Sequence, residues 1–176
     1  GSEITDQFGD KGFIINSNYH GLAAFLKTKN ITYSYLGVVD DSSPMITARI
    51  EKALDEFDAI ITFGGTAKGK YDLMGDIIEK SLGGTIIVSG LKATPGKTFR
   101  LATVKNKPLF MMPGTPSASL ICEEVFLNIW LASYKGHNFM DYITSCRVMF
   151  SVKKRPGFGK FEPCRLKFNE SGELCA

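Results

Sequence analysis

Histidine and tryptophan are scarce: the 176 residues hold two His and one Trp. His20 and His137 lie far apart, with no Ser/His/Asp or Cys/His arrangement around either. Nothing therefore marks a nucleophile activated by a neighbouring imidazole, and both histidines read as surface or packing residues. Trp130 sits in an apolar stretch and reads as a core residue. The four cysteines (Cys122, Cys146, Cys164, Cys175) form no C-x-x-C pair and have no nearby histidine. That spacing argues against a zinc site, and free thiols in a reducing, cytoplasmic compartment are the simplest account. No apolar run approaches the roughly 20 residues of a membrane span, and the N-terminus does not resemble a signal peptide. A formal net charge of +3 and the lack of a Lys/Arg-rich run give no footprint for nucleic acid. The sequence has neither G-x-G-x-x-G nor G-x-x-x-x-G-K-[ST], which argues against a Rossmann dinucleotide site and a P-loop.

What is present fits one well-packed α/β domain with a small appendage: 44% hydrophobic and 22% charged residues in a chain of this length. Ile14-Ile15 runs into the N-cap cluster Asn16-Ser17-Asn18, after which Leu22, Phe25 and Leu26 recur at helical spacing as far as Asn30. Residues 31–39 are rich in strand formers and stop at Asp40-Asp41-Ser42-Ser43-Pro44. Ser43 is the expected N-cap there, with Pro44 at the first helical position and Ile46, Ile50, Leu54 and Phe57 along one face. Ala59 to Phe63 is a short apolar run of the kind buried on both faces of a sheet. It is followed by Gly64-Gly65-Thr66-Ala67-Lys68-Gly69-Lys70 and a helix carrying Met74, Ile77, Ile78 and Leu82. Thr85–Val88 reads as a strand, and Thr98–Val104 with Pro108–Met112 as a hairpin around Lys105-Asn106-Lys107. An apolar helix then runs to about Tyr134.

Strands alternating with helices predict an α/β fold: three layers, a mostly parallel sheet with helices on both faces. Arg147–Val152 and Phe161–Phe168 instead alternate with period two, which predicts the start of a small antiparallel β module. The expected division is residues 1–144 and 145–176, the second unit being cut short.

Three expected strand ends lead into loops of one type, at Asp40-Asp41-Ser42-Ser43, Gly64-Gly65-Thr66 and Pro113-Gly114-Thr115-Pro116-Ser117. Ligands of open α/β sheets bind outside the carboxyl ends of strands, where free N–H groups and the positive ends of helix dipoles gather. Glycines 64, 65, 69 and 114 permit close backbone approach, and Lys68, Lys70 and Lys97 lie in or beside the loops. Together they predict a site for an anionic small molecule. Asp40 and Asp72 are candidates to hold Mg²⁺, which takes one or two carboxylates together with substrate oxygens. For Asp72 a charge at a helix N-terminus is an equal alternative, and Asp41 and Ser43 read as caps.

At these loops the chain resembles the MoeA family of molybdopterin molybdotransferases. The matching stretches are Gly1-Ser2-Glu3-Ile4, Ile15-Asn16-Ser17-Asn18, Gly37–Asp41, Ile60–Thr66 through Tyr71-Asp72, Thr94–Thr98 and Met112–Ser117. The resemblance implies binding of the phosphorylated pterin, molybdopterin, and insertion of molybdate into its adenylylated form with Mg²⁺. It makes Glu3, Asp40 and Asp72 the acidic active-site residues. Asn18, Gly64, Gly65, Thr66, Lys68, Gly69, Lys97, Pro113, Gly114, Thr115 and Ser117 become the candidate binding residues. It further implies a homodimer, contact with the adenylyltransferase of the same pathway, and an excised central domain whose site other domains complete.

Two departures stand out. Gly90 and Thr94 occupy positions where the family usually has lysines, and Lys92 between them is the candidate catalytic substitute, since side chains two apart on a strand share a face. Lys70 replaces a frequent acid. A molybdopterin adenylyltransferase and a non-catalytic molybdopterin-binding module are the alternative functions.

Overall fold

A computed structural model describes residues 3–7, 14–65, 72–138, 140, 143–153 and 155–176. The chain begins with two short parallel strands, β1 (Ile4–Thr5) and β2 (Ile14–Ile15). Helix α1 (Ser17–Thr28) follows, capped by Asn16, whose side chain accepts the Tyr19 N–H. Helix α2 (Ser43–Glu56) comes next. Strand β3 (Ile60–Phe63) leads through Gly64 and Gly65 to α3 (Leu73–Asp76), which continues as a π-helical turn, Ile77–Ser81. Strands β4 (Thr85–Ser89), β5 (Ala93–Thr94), β6 (Arg100–Val104) and β7 (Lys107–Met112) follow. One long helix then comprises α4 (Pro116–Cys122), a π-helical turn (Glu123–Leu127) and α5 (Asn128–Tyr134). Short strands β8 (Gly159–Lys160), β9 (Lys167–Phe168) and β10 (Leu174–Cys175) close the described chain.

The central sheet has the order β3-β7-β6-β4. It is parallel at β3–β7 and antiparallel at β7–β6 and β6–β4. The tight β6–β7 hairpin turns at Lys105 and Asn106, both at positive φ, the conformation of a two-residue hairpin turn that matches strand twist. Strand β7 is buried on both faces, and its alternate side chains divide between two cores. Leu109 and Met111 join Ile50 and Leu54 of α2 and Met74, Ile77 and Ile78 of α3 and its extension. Phe110 and Met112 join Leu22, Phe25 and Leu26 of α1 and Cys122, Leu127 and Leu131 of the long helix. Helices thus cover both faces, as the α/β reading requires. In β4 the register shifts between Ile86 and Val88, a bulge that places these residues in opposite cores although they are two apart.

Several expectations need correction. Residues 31–40 form no strand. Strand preference describes side chains suited to a pleated, half-buried surface, and it yields a strand only where a neighbour supplies the ladder. Here Tyr33, Tyr35 and Val38 are exposed, and the segment is held by side chains instead. Leu36 packs on the core beside α2, and its carbonyl accepts Nη1 of Arg49. The cap of α2 is Ser42 rather than Ser43; it lies one residue earlier, makes no side-chain capping bond, and leaves Pro44 inside the first turn. Arg147–Val152 supplies only an isolated bridge from Arg147 to Cys175, and Phe161–Phe168 only β9 at its end. Strand β9 pairs antiparallel with β10, whereas β8 pairs parallel with β5.

Candidate functional site

The carboxyl ends of β3 and β7 are joined by their backbones. The Gly64 N–H donates to the Met112 carbonyl at 3.2 Å, extending the parallel ladder by one step. Pro113 is buried, and Gly114 follows so close that a Cβ built on it would lie 3.6 Å from Gly64 Cα. Gly64 has φ +79, a conformation that favours glycine. Asn18, in the first turn of α1, donates Nδ2 to the Gly114 carbonyl at 2.8 Å, while its Oδ1 is buried with no hydrogen-bond partner among the described residues. Thr115 caps the long helix through its carbonyl, which accepts the Ala118 and Ser119 N–H groups, and its side chain makes no capping bond. Asn18, Gly64, Pro113 and Gly114 therefore meet at one sheet edge, with Thr115 and Ser117 exposed beside them. Gly65 is exposed at the same strand end.

Asp72 lies one helix start further on. Its Oδ1 accepts the Gly75 N–H at 3.0 Å, capping α3, and also Nη1 of Arg100 at 2.5 Å. The helix-terminus account of Asp72 therefore holds. Arg100 is 2% exposed. Thr62 and Arg100 both pair with Met111 across the sheet, so the three share a row and a face. Thr62 Oγ1 and Arg100 Nε are buried without partners among the described residues.

The remaining predicted residues are more dispersed. Asp40 is exposed at the end of the irregular segment, its carbonyl accepting the Ser42 N–H. Glu3 is exposed ahead of β1. Lys92 and Lys97 are exposed and flank β5, and the Lys97 carbonyl accepts the Leu91 N–H. Gly90 has φ +90 and β4 ends at Ser89, so residues 90–94 are not one strand, and the shared-face argument for Lys92 does not apply. Thr66, Lys68 and Gly69 lie outside the described residues, as does Lys70. Among the described residues, no group of three or more His, Cys, Asp or Glu is placed to hold a metal ion.

Sequence reasoning missed a polar cluster beside α1. The Tyr35 hydroxyl donates to the Asp6 carboxylate at 2.8 Å and accepts Nδ2 of Asn16 at 2.8 Å, and its ring stacks on Tyr19 with centroids 4.0 Å apart. Partial desolvation of its hydroxyl, then the hydrogen bond to Asp6 and that group's charge, push Tyr35 up to about 12, against the opposing bond from Asn16. Only Asn16 carried a signal, as a cap; Asp6 and Tyr35 lie 29 positions apart. Arg100 was likewise hidden, because a buried arginine in a strand has no local pattern.

This is an α/β domain whose paired strand ends bring two glycine turns together. The chain belongs to the family described as probable molybdopterin binding domain, whose profile matches residues 1–132. It is 33% identical over 119 residues to a molybdopterin molybdenumtransferase of Nostoc sp. and 29% identical over 133 residues to that of Bacillus subtilis. Those matches cover 66% and 73% of this chain but only 27% and 31% of the relatives. A solved molybdopterin biosynthesis MoeA protein from Pyrococcus horikosii superposes with TM-score 0.66 at 28% identity, covering 76% of this chain and 33% of that one. A second, from Pyrococcus horikoshii OT3, shares the fold over 99% of this chain and 41% of its own, with TM-score 0.68 at 19% identity. Among the described residues no helix is long and apolar enough to cross a membrane.

Proposed function

We propose that this domain binds molybdopterin at the joined ends of β3 and β7, as one part of a molybdenum-cofactor biosynthetic protein that inserts molybdate. One observation carries the reading: two glycine turns meet backbone to backbone, and Asn18 holds one of them while keeping a buried acceptor without a partner among the described residues. An unpaired buried acceptor costs about 1–3 kcal/mol, so a ligand donor reaching Asn18 Oδ1 would be rewarded with that amount. Gly65, Gly114 and Thr115 are exposed residues, and their backbone N–H groups are the proposed donors to a phosphate. Among the described residues, exposed Lys97 and Lys92 are the lysines proposed to pair with the phosphate. Glu3 and Asp40 remain the proposed acidic residues of the intact protein. Homodimerisation, contact with the pathway's adenylyltransferase and a cytoplasmic setting are proposed with the same reading.

A second reading, binding without turnover, is favoured by the engagement of Asp72 with Arg100. Isothermal titration with molybdopterin tests the shared claim: saturable binding that weakens in Asn18→Leu supports the pocket, and no binding removes it. Molybdate-dependent turnover by the full-length protein separates insertion from a carrier role, and strong ATP binding by the domain would point to adenylylation.

A further inference from the structure

We propose that Arg100 is a resident cation that takes the place of a divalent metal ion at Asp72. The inference builds on the reading of this sheet edge as an anion site, but its test uses no pterin, so either can fail alone. Arg100 closes the N-terminal end of β6 and is 2% exposed, whereas the Asp72 side chain is 39% exposed. A guanidinium removed from water needs an anion in contact, because an isolated buried charge is strongly disfavoured. Asp72 supplies it, with the same oxygen that caps α3.

Gly75 shows that the arrangement is built in. A Cβ placed there would lie 2.4 Å from Asp72 Oδ2 and 3.0 Å from Arg100 Nη2, so carboxylate and guanidinium occupy the volume any other side chain would take. Arginine stays charged under all ordinary conditions and cannot vacate the site by losing a proton. A Mg²⁺ ion needs carboxylate oxygens at about 2.0–2.1 Å in near-octahedral order. Here Asp72 Oδ1 already accepts two N–H donors, and a dication beside it would face a fixed positive charge on Arg100. The carboxylate is thus neutralised from inside the fold. The consequence is a strand-end site whose charge does not depend on divalent ions.

Two measurements on the intact chain decide the matter. The first is the electron paramagnetic resonance signal of free Mn²⁺ titrated with wild-type protein and with Asp72→Asn. The expected result is the same free signal for both. A wild-type chain that removes Mn²⁺ from solution, with the removal lost in Asp72→Asn, overturns the proposal. The second is a urea unfolding cycle of Asp72→Asn, Arg100→Met and the double variant. A direct pair predicts at least tenfold non-additivity in the unfolding constant, and coupling below twofold overturns it. If Arg100→Met does not fold, Arg100→Lys replaces it in the cycle with the same two criteria.

Discussion

Adding one methyl group at each of two glycines separates the backbone demands of the site from its demands on a ligand. Gly64 has φ +79, and a Cβ there would meet nothing within 4 Å, so Gly64→Ala is opposed by the backbone alone. Forcing an L-residue into that conformation costs about 1–2 kcal/mol, offset by roughly 0.4–1 kcal/mol from the stiffer unfolded chain. The net loss is about 1 kcal/mol, or a fall in melting temperature of about 2–4 °C for a chain of this size. Gly114 has no positive φ, and its Cβ would sit 3.6 Å from Gly64 Cα, an ordinary contact. Gly114→Ala should therefore leave stability unchanged or slightly raised. Its methyl would nevertheless stand between the two turns, and molybdopterin affinity should drop at least tenfold. Thermal unfolding followed by circular dichroism gives the first quantity and isothermal titration the second. Equal destabilisation by the two variants would refute the backbone argument. Unchanged pterin affinity in Gly114→Ala would show that the ligand does not lie between these turns.

The remaining predictions concern the body of the domain. Leu109→Ala, at a fully buried position in the core beside α2, should cost about 2–5 kcal/mol in urea unfolding with the slope unchanged. Burial raises the Glu123 carboxyl above its ordinary 4.5, against the opposing bond from Ser119 and helped by the charge of Glu124. The native state therefore holds this proton more tightly than the unfolded chain does, and stability falls as pH climbs above 4.5. Glu123→Gln should flatten that decline, gaining on the wild type toward neutral pH in a series of melts. Burial, with the neighbouring Glu123 charge, pushes the Cys122 thiol up to about 12. Iodoacetamide at pH 8 should label exposed Cys164 and spare Cys122 until denaturant is added, as read by peptide mass spectrometry.

The architecture was legible where a local pattern and a tertiary role coincide. Asn16 announced α1 because its short side chain caps the helix, and the short apolar run Ala59–Phe63 announced β3. The hairpin was legible in Lys105-Asn106 between two apolar runs. Residues 31–39 carried equally strong strand chemistry yet have no ladder, because pairing depends on a neighbour the local sequence cannot name. The site divides the same way. Gly64, Gly114 and Asn18 were visible as turn and cap residues, and they meet. Lys92 does not share a strand face with positions 90 and 94, because β4 ends at Ser89 and Gly90 turns the chain at positive φ. Asp72 was visible as a helix-start acid, but its partner Arg100 lies 28 positions away and could be found only in three dimensions.

The bulge in β4 also bears on how the molecule behaves in company. Among the described residues this strand is the last of its sheet, and Ile87, at the irregularity, is 58% exposed. A straight outer strand with such a side chain would offer another polypeptide a ready template for intermolecular pairing. The extra residue spoils the spacing such a template needs, so the same kink that feeds two cores guards the protein against sticking to its own copies at high concentration.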